Sequence, residues 1–492
     1  MKAYKTTLFI FAIIGLLALL CLFFPKEGVQ VGPLDLEFPS LEEVMGASAD
    51  TVEGPKESPE ELLARRLEEM RMEEESQYLD YFENNPARIE FPNNDLHTLD
   101  AFFAALDSAE TKELRIVHYG DSQIEEDRIS STLRAELQTE FGGQGVGLVP
   151  AIQTIPTVSV GQTCDTELIR YLVYGNSEMR ADNDLYGIMG QKAILDTTIH
   201  LRFYPLSRVS EDTPSRYFTE VRVLAGEIED TLRVHCNGTT LWADSTQKGI
   251  VELSFHLPDS SVRAQLEISG KAALYGIMLD GENGVSVDNI PMRGCSGTIF
   301  TQMNGEQLAS YFRNANVRLI IMQFGGNSVP YLKKPQSISN YGKQMARQIK
   351  YMKRLAPKAS ILFIGPSDMA TKVKANMETY PHLPMVIDSL RHAVLNAGAA
   401  YWDLYSVMGG HNSMVQWVNA QPPLAASDYV HFSRGGAERI GDMLCKSLML
   451  YYDYYKWRTD TTQWSDTTKM LNDSILLLRE EAAALEETQV EE

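Results

Sequence analysis

The chain contains the stretch LRIVHYGDS at residues 114–122, an apolar run that ends in a Gly-Asp-Ser turn. A segment with helical composition follows from about Asp127 to Phe141, so Ser122 falls at a strand-to-helix turn. A turn of this kind exposes the side chain that occupies it. The pattern therefore predicts a parallel α/β sheet with Ser122 at the carboxyl end of one strand, the edge where sites assemble in such sheets.

The same pattern returns further along the chain. A second apolar run, Val317–Phe324, leads into Gly325-Gly326-Asn327, which predicts that Asn327 lies at the same edge of the sheet. Helical and strand-like segments then alternate, which predicts a doubly wound parallel sheet: helices at Tyr341–Leu355 and Pro384–Ala397, and strands at Ser360–Ile364 and Ala399–Leu404.

A histidine near the end of the chain supplies the base that a serine nucleophile needs. Asp428-Tyr429-Val430-His431 places an acid three residues before His431, so one loop can present both side chains. A neutral imidazole can accept the serine proton and return it to a leaving alcohol, while the carboxylate holds the ring in the right tautomer. Taken singly, each motif also fits an ordinary turn or cap.

In chain order the motifs are Gly120-Asp121-Ser122, the glycine turn at 293–297, Gly325-Gly326-Asn327 and Asp428-x-x-His431. This order resembles the SGNH (GDSL-type) hydrolase superfamily. The resemblance implies a flavodoxin-like fold with Ser122, Asp428 and His431 as the catalytic residues. It also implies an oxyanion hole formed by the backbone N–H groups of Ser122 and Gly294 and the side-chain amide of Asn327, with Gly297 as the alternative glycine.

Two positions depart from the family pattern. Gln123 stands where the name-giving leucine would be, and Ser328 follows Asn327 where many members carry aspartate. Neither change removes a catalytic group. Asp121 is interpreted as an acid that braces the turn rather than as the carboxylate of the triad.

Residues 149–289 change character, with short segments of period-two alternation such as Thr231–Cys236 and Ile250–Phe255. They predict an inserted antiparallel β-sandwich that returns to the catalytic sheet through Ala273–Leu279. Some SGNH esterases that deacetylate bacterial cell-wall glycans carry a comparable, carbohydrate-binding-like insertion, and this arrangement resembles theirs. An insert that only shapes the cleft is the alternative.

The N-terminus predicts a membrane anchor. Lys2 and Lys5 precede Thr6–Phe24, an uncharged stretch long enough to span a bilayer core of about 30 Å. A cleaved signal peptide is the alternative, although Leu20-Cys21 lacks the small residue expected before a lipoprotein cysteine. The full prediction is a transmembrane anchor at 1–25, a charged stalk with a helix at 26–92, the hydrolase domain at 93–148 and 290–453, the insert at 149–289, and an acidic helical tail at 454–492.

Composition limits the partners. The 492 residues are 44% apolar, which is typical of a globular protein, and the formal charge of −22 argues against nucleic acid as a partner. The nine histidines and five cysteines show no metal-ligand spacing, so neither a metal nor a cofactor is predicted. Asp403, His411 and Trp417 follow a predicted strand and are further candidates for the lining of the cleft, with a loop or core role as the alternative.

These expectations define a membrane-anchored serine esterase whose catalytic domain lies in the periplasm or outside the cell. Its expected substrate is an O-acylated glycan of the cell envelope or surroundings, from which it removes acetyl or similar groups. Acetyl transfer in partnership with a membrane-bound O-acyltransferase uses the same triad and stays open. A glycan-binding protein that keeps the fold without catalysis is the third possibility.

Overall fold

The computed structural model describes residues 29–31, 34–36, 58–259 and 261–460. The predicted anchor lies outside this part, as do residues 461–492 of the acidic tail predicted at 454–492. The tail prediction begins too early, because residues 454–459 belong to the helix Arg434–Thr459. Within it, no helix is both long and apolar enough to cross a membrane. The chain divides into two units, 1–74 with 462–492 and 75–461. In the first, Val29–Val31 pairs antiparallel with Leu34–Leu36; the helix Pro59–Asn84 begins there and ends in the second unit.

A six-stranded sheet forms the centre of the second unit. Its first five strands are parallel and the sixth is an antiparallel edge strand. Numbered along the chain, the parallel strands have the order 2-1-3-4-5, the flavodoxin-like order that the family resemblance implies. Across the sheet the strands are Val285–Pro291, Leu114–Gly120, Val317–Gln323, Ser360–Ile364, Ala400–Trp402 and Ile89–Glu90.

Helices cover both faces of this sheet. Successive strand residues point to opposite faces: His118 bonds to Ser130 at the start of one helix, whereas Val117 and Tyr119 belong to a core that also contains Leu308 and Met345 of two others. The fold is therefore doubly wound. Its helices are Asp100–Leu106, Ser130–Phe141, Gly305–Asn314, Pro335–Leu355, Leu383–Asn396, Leu404–Met408, Ser413–Asn419 and Arg434–Thr459.

The insert is a sandwich of two antiparallel sheets, whose facing side chains make a second apolar core. One sheet consists of Val251–His256, Glu220–Gly226, Ala272–Asp280, Gln191–Leu195 and Ile169–Leu172, with Gly147–Val149 paired to Ala272–Asp280. The other consists of Thr239–Asp244, Thr231–Cys236, Ala264–Ser269, Ile199–Pro205 and Val160–Cys164.

The insert differs from the prediction at both ends. It begins at Gly147–Val149, before the predicted start at 149. Ala273–Leu279 belongs to a central strand of the sandwich, and the return to the parallel sheet is made by Val285–Pro291, which the prediction assigned to the insert up to 289. Both strands are almost entirely buried on both faces, so neither shows the alternation that distinguishes a half-exposed strand.

A short antiparallel pair, Ala370–Val373 with Asn376–Thr379, lies between the fourth parallel strand and the next helix. The predicted helix at Tyr341–Leu355 begins earlier, at Pro335, because proline suits the first turn of a helix, where no backbone donor is needed. The last helix begins at Arg434, directly after the Asp428–His431 loop, with the Ser433 hydroxyl accepting a hydrogen bond from the N–H of Gly436.

Candidate active site

Ser122 lies where the strand Leu114–Gly120 ends. Asp121 caps the short 3-10 segment Ser122–Asp127 by accepting a 3.0 Å hydrogen bond from the backbone N–H of Gln123. Gly120 permits the close turn, because a Cβ there would approach Ile124 to 3.0 Å. The turn therefore directs the Ser122 hydroxyl away from the sheet at its carboxyl edge.

The structure brings Ser122, His431 and Asp428 into one hydrogen-bonded chain. The Ser122 Oγ lies 2.9 Å from His431 Nε2, and His431 Nδ1 lies 2.7 Å from Asp428 Oδ2. The second carboxylate oxygen of Asp428 accepts from the backbone N–H groups of Val430 and His431, so the loop fixes the acid as well as the imidazole. This is the geometry of an activated serine nucleophile.

Burial opposes the charged form of Asp428, but hydrogen bonds from the His431 ring and from the N–H groups of His431 and Val430 outweigh it. The net effect lowers the pKa of the Asp428 carboxyl below its ordinary value. Asp428 is therefore a carboxylate at neutral pH, the form that orients and stabilises an imidazolium.

The loop that carries His431 is fastened to the loop that carries Ser122 by Arg128. Its guanidinium donates to the carbonyl oxygens of Ser122 at 3.2 Å and Phe432 at 2.9 Å, and also to that of Glu125. The role of Arg128 was not predicted from the sequence. No local pattern marks it, because its three acceptors are backbone oxygens, one of them 304 residues away.

Asn327 faces Ser122 from the neighbouring strand end and lines the same cleft. Its side-chain nitrogen donates to Asp121 Oδ2 at 3.0 Å and to the carbonyl oxygen of Cys295 at 3.2 Å. Both hydrogens of the amide are thereby directed at protein acceptors. An oxyanion beside Ser122 would have to share or replace one of these bonds in order to be bound by Asn327.

Gly294 lies in the turn after the strand Val285–Pro291, with a φ of +75° that favours glycine. Gly297, the alternative, also has a positive φ, but its N–H already donates to Cys295 Sγ. Within the described residues no hydrogen bond engages the N–H of Gly294. Of the two N–H groups, that of Gly297 is therefore the one already engaged within the turn.

Asp121 is 4% exposed, and this burial raises its pKa to about 6 against the lowering effect of its hydrogen bonds and of nearby His431. It accepts hydrogen bonds from Gln123 and Asn327 but makes none to His431. Its position fits the expected bracing role, since it joins the nucleophile turn to the Asn327 turn.

Two clefts flank the nucleophile loop. The catalytic cleft, about 790 Å³, is lined by Ser122, Asn327 and His431 together with Pro366, Met369 and Tyr380. A second cleft of about 910 Å³ lies between the hydrolase sheet and the insert, with Leu148 and Leu172 on the insert side. Glu125 and Arg293, which border this second cleft, form a 2.6 Å ion pair beside Gly294.

Other candidate residues have structural roles in the described part of the chain. Asp403 caps the helix Leu404–Met408 and pairs with Arg391 at 2.6 Å, and Trp417 is buried with its indole N–H donating to Met408. Neither lines the catalytic cleft, nor does His411. The alternative, a structural role, therefore holds for Asp403 and Trp417, and the prediction that His411 lines this cleft is wrong.

The described residues contain no group of three His, Cys, Asp or Glu side chains able to hold a metal ion. The four cysteines in this part, Cys164, Cys236, Cys295 and Cys445, are free thiols. Burial raises the pKa of the Cys295 thiol to about 12, so this thiol is protonated at neutral pH although it lies beside Gly294. The Ser122 hydroxyl, by contrast, is hydrogen-bonded to a histidine.

Comparison with known proteins identifies a solved structure of similar fold. No protein-family model and no curated protein matches this chain. A solved structure of a peptidoglycan O-acetylesterase superposes with a TM-score of 0.60 at 20% sequence identity, over 72% of this chain and 96% of that one. A family two carbohydrate esterase from Cellvibrio japonicus gives a TM-score of 0.24 at 12% identity, over 60% of this chain and 99% of that one. The chain therefore shares the fold of the peptidoglycan O-acetylesterase structure.

Proposed function

We propose that the protein is a serine esterase that removes O-acetyl or similar acyl groups from a glycan of the cell envelope or its surroundings. The observation that carries this proposal is the hydrogen-bonded chain from Ser122 through His431 to Asp428. Ser122 and His431 line a cleft that Asn327 also lines. A nucleophile, a base, an orienting acid and an amide donor at one edge are what ester cleavage through an acyl-serine requires.

The reaction has two halves. His431 Nε2 takes the proton of Ser122 Oγ as this oxygen attacks the ester carbonyl, and the tetrahedral oxyanion is bound by the N–H groups of Ser122 and Gly294 and by Asn327. Collapse breaks the bond to the sugar oxygen, which leaves with the proton from His431. Water, deprotonated by the same imidazole, then attacks the acyl-serine and releases the carboxylic acid.

A glycan ester is the substrate class favoured by two observations. The peptidoglycan O-acetylesterase structure shares the fold over nearly its whole length. The chain also has a sandwich inserted between Ser122 and Gly294, and this insert contributes one wall of the second cleft beside the nucleophile loop. The net charge of −22 makes an anionic polymer such as nucleic acid a poor partner.

The proposal includes a location. Residues 6–24 carry no charge and follow two lysines, which supports a single anchor with the catalytic domain on the periplasmic or outer side. A reporter fused after residue 460 and active only outside the cytoplasm would support this orientation. Activity of a reporter that works only in the cytoplasm would contradict it.

The activity test uses the full-length chain with an O-acetylated glycan and with ethyl acetate, recording acetate release. Ser122→Ala is expected to reduce release by at least about 10³-fold, because the nucleophile is lost. Ser310→Ala, which changes a serine on a helix outside the cleft, is the matched control and should retain full activity. Equal rates for wild type and Ser122→Ala would sink the proposal. Acyl-serine formation without acetate release would instead favour transfer to another acceptor.

A further inference from the structure

Tyr331 is a large aromatic side chain at the catalytic cleft that the fold leaves uncovered. It is 82% exposed, the highest value among the exposed large hydrophobic residues described. None of the others lines the catalytic cleft, whereas Tyr331 does. Those others are Leu62, Met72, Leu79, Tyr81, Ile169, Tyr204, Trp242 and Met385. An exposed ring at the mouth of a site is free to be covered by a ligand.

The backbone that presents Tyr331 is held in place. Asn327 and Tyr331 belong to the same 3-10 segment, Gly326–Tyr331, which begins directly after the third parallel strand. Val329 anchors the segment at 2% exposure, and the N–H of Leu332 closes it onto the carbonyl oxygen of Ser328 at 3.2 Å. Tyr331 therefore extends from a turn that is held in place, four positions after Asn327.

The position of Tyr331 selects the part of the substrate that it can touch. The acyl carbonyl must lie against Ser122 and Asn327 for attack to occur, so the alcohol part of the ester extends outward. Tyr331 and Pro330 lie in the cleft lining on the Asn327 side, and Pro366 and Tyr380 also line this cleft. The ring at the rim is therefore available to the alcohol part rather than to a small acyl group.

A pyranose ring is a good match for such a surface. One face of the sugar presents C–H groups, which a flat aromatic ring can cover, while the hydroxyl groups at its edge stay in contact with water. Tyrosine suits a half-wet rim because its body is apolar and its hydroxyl is polar. A linear alcohol offers no comparable face.

We propose that Tyr331 is a specificity-determining residue that stacks on the sugar carrying the ester and holds its acyl group towards Ser122. This inference rests on the proposed glycan esterase function and names the contact that would make the site prefer a sugar ester over a simple one. Tyr331 takes no part in the chemical steps.

The experiment compares two substrates in the full-length enzyme. Tyr331→Ala is expected to lower kcat/KM for O-acetylated peptidoglycan or acetylated xylo-oligosaccharides by about 10-fold, mainly through KM, as the loss of one stacking contact predicts. Ethyl acetate, which has no ring, should be hydrolysed within twofold of the wild-type rate. Tyr331→Phe, which keeps the ring, should restore most of the glycan activity.

Trp242→Ala is the matched control, since Trp242 is 67% exposed on an edge strand of the insert and is not part of either cleft. Its removal should leave both substrates unaffected. Glycan affinity measured calorimetrically in Ser122→Ala, with and without Tyr331→Ala, gives a readout that does not depend on turnover. The expected result is weaker binding when the ring is absent.

An equal loss on both substrates would overturn the proposal, because it would show that Tyr331 acts through the Asn327 turn. Unchanged glycan kinetics in Tyr331→Ala would overturn it as well. Ser122-dependent hydrolysis of ethyl acetate without any glycan activity in the wild type would overturn the sugar contact and leave the esterase in place. No hydrolysis of either substrate would instead overturn the proposed function on which the inference rests.

Discussion

Gln123 is hydrogen-bonded to the residues on both sides of His431. Its side-chain nitrogen donates to the carbonyl oxygen of Val430 at 2.6 Å, and its side-chain oxygen accepts from the backbone N–H of Phe432 at 3.3 Å. His431 is the residue between these two. Gln123 therefore sets the register of the loop that carries His431.

Gln123→Leu is expected to lower kcat about 10-fold or more with little change in KM. Leucine fills a similar volume but leaves the Val430 carbonyl and the Phe432 N–H without these partners, so His431 is held less firmly against Ser122. Steady-state kinetics with ethyl acetate measure the effect, and a urea unfolding curve checks that the fold is retained. Gln336→Leu, which changes an exposed glutamine on a helix, is the control. A kcat within twofold of wild type would contradict the role assigned to Gln123.

The side chains of the candidate site could be predicted from the sequence because each of them either follows a strand or shares a short loop with another. Ser122 and Asn327 end apolar runs, and Asp428 and His431 are three residues apart. The contacts of Gln123 and Arg128 with the His431 loop could not be predicted, since the backbone atoms of Val430 and Phe432 are about three hundred residues away and no periodicity links them to these side chains. Contacts of this kind depend on how loops meet after the sheet has formed.

The limits of the insert show a second reason for missed structure. Ala272–Asp280 and Val285–Pro291 are adjacent in the chain and are both buried on two faces, so composition cannot assign one to the sandwich and the other to the parallel sheet.

Asp403 shows a third reason why part of the structure could not be predicted. An acid after a strand can serve a site or cap the next helix, and only its hydrogen bonds to Ser406 and its pairing with Arg391 decide between them.

Asp121→Asn is expected to reduce kcat by about 10- to 100-fold. The carboxylate oxygen that accepts from Asn327 would be replaced by an amide group that can satisfy either Gln123 or Asn327 but not both, so the amide of Asn327 loses its orientation beside the oxyanion. A double-mutant cycle of Asp121→Asn with Asn327→Ala measures the coupling. Strong non-additivity is expected if Asp121 acts through Asn327, whereas fully additive losses would show that the two residues act independently.

His118 predicts a pH dependence of stability. Burial lowers the pKa of this histidine to about 4, although its hydrogen bond with Gln323 acts in the opposite direction. Between pH 6.5 and about 4 the unfolded chain binds a proton at this position that the folded chain does not, so the stability contributed by His118 is present above pH 6.5 and is lost as the pH falls towards 4. The full loss corresponds to roughly 3 kcal/mol.

The measurement is the free energy of unfolding in urea from pH 7 to pH 4 for wild type and His118→Asn. Asp121, whose pKa is raised to about 6, changes stability with the opposite sign over an overlapping range. The comparison of the two proteins cancels that contribution, because Asp121 is present in both. Wild type should lose stability relative to His118→Asn as the pH falls. Parallel curves would show that His118 does not titrate in this way.

Arg115 joins the parallel sheet to the insert through buried ion pairs. It is completely buried and pairs with Asp288 of the strand Val285–Pro291 at 2.5 Å and with Asp280 of the sandwich at 2.7 Å. Arg222 of the sandwich also pairs with Asp280. Burial disfavours the charged form of Asp280, but Arg115 and Arg222 outweigh it and lower the pKa of its carboxyl.

Arg115→Met would leave two buried carboxylates with one fewer cation, and breaking such a network from one side typically costs about 3–5 kcal/mol. We expect unfolding at a clearly lower urea concentration, with tryptophan fluorescence and far-ultraviolet circular dichroism changing together, since the lost cation serves both sheets. Lys446→Met, which breaks an exposed pair with Asp442, is the control and should change stability by no more than about 0.5 kcal/mol. An unchanged midpoint for Arg115→Met would show that the network contributes nothing to stability. Two separate transitions would show that the two sheets unfold independently despite the ion pairs that join them.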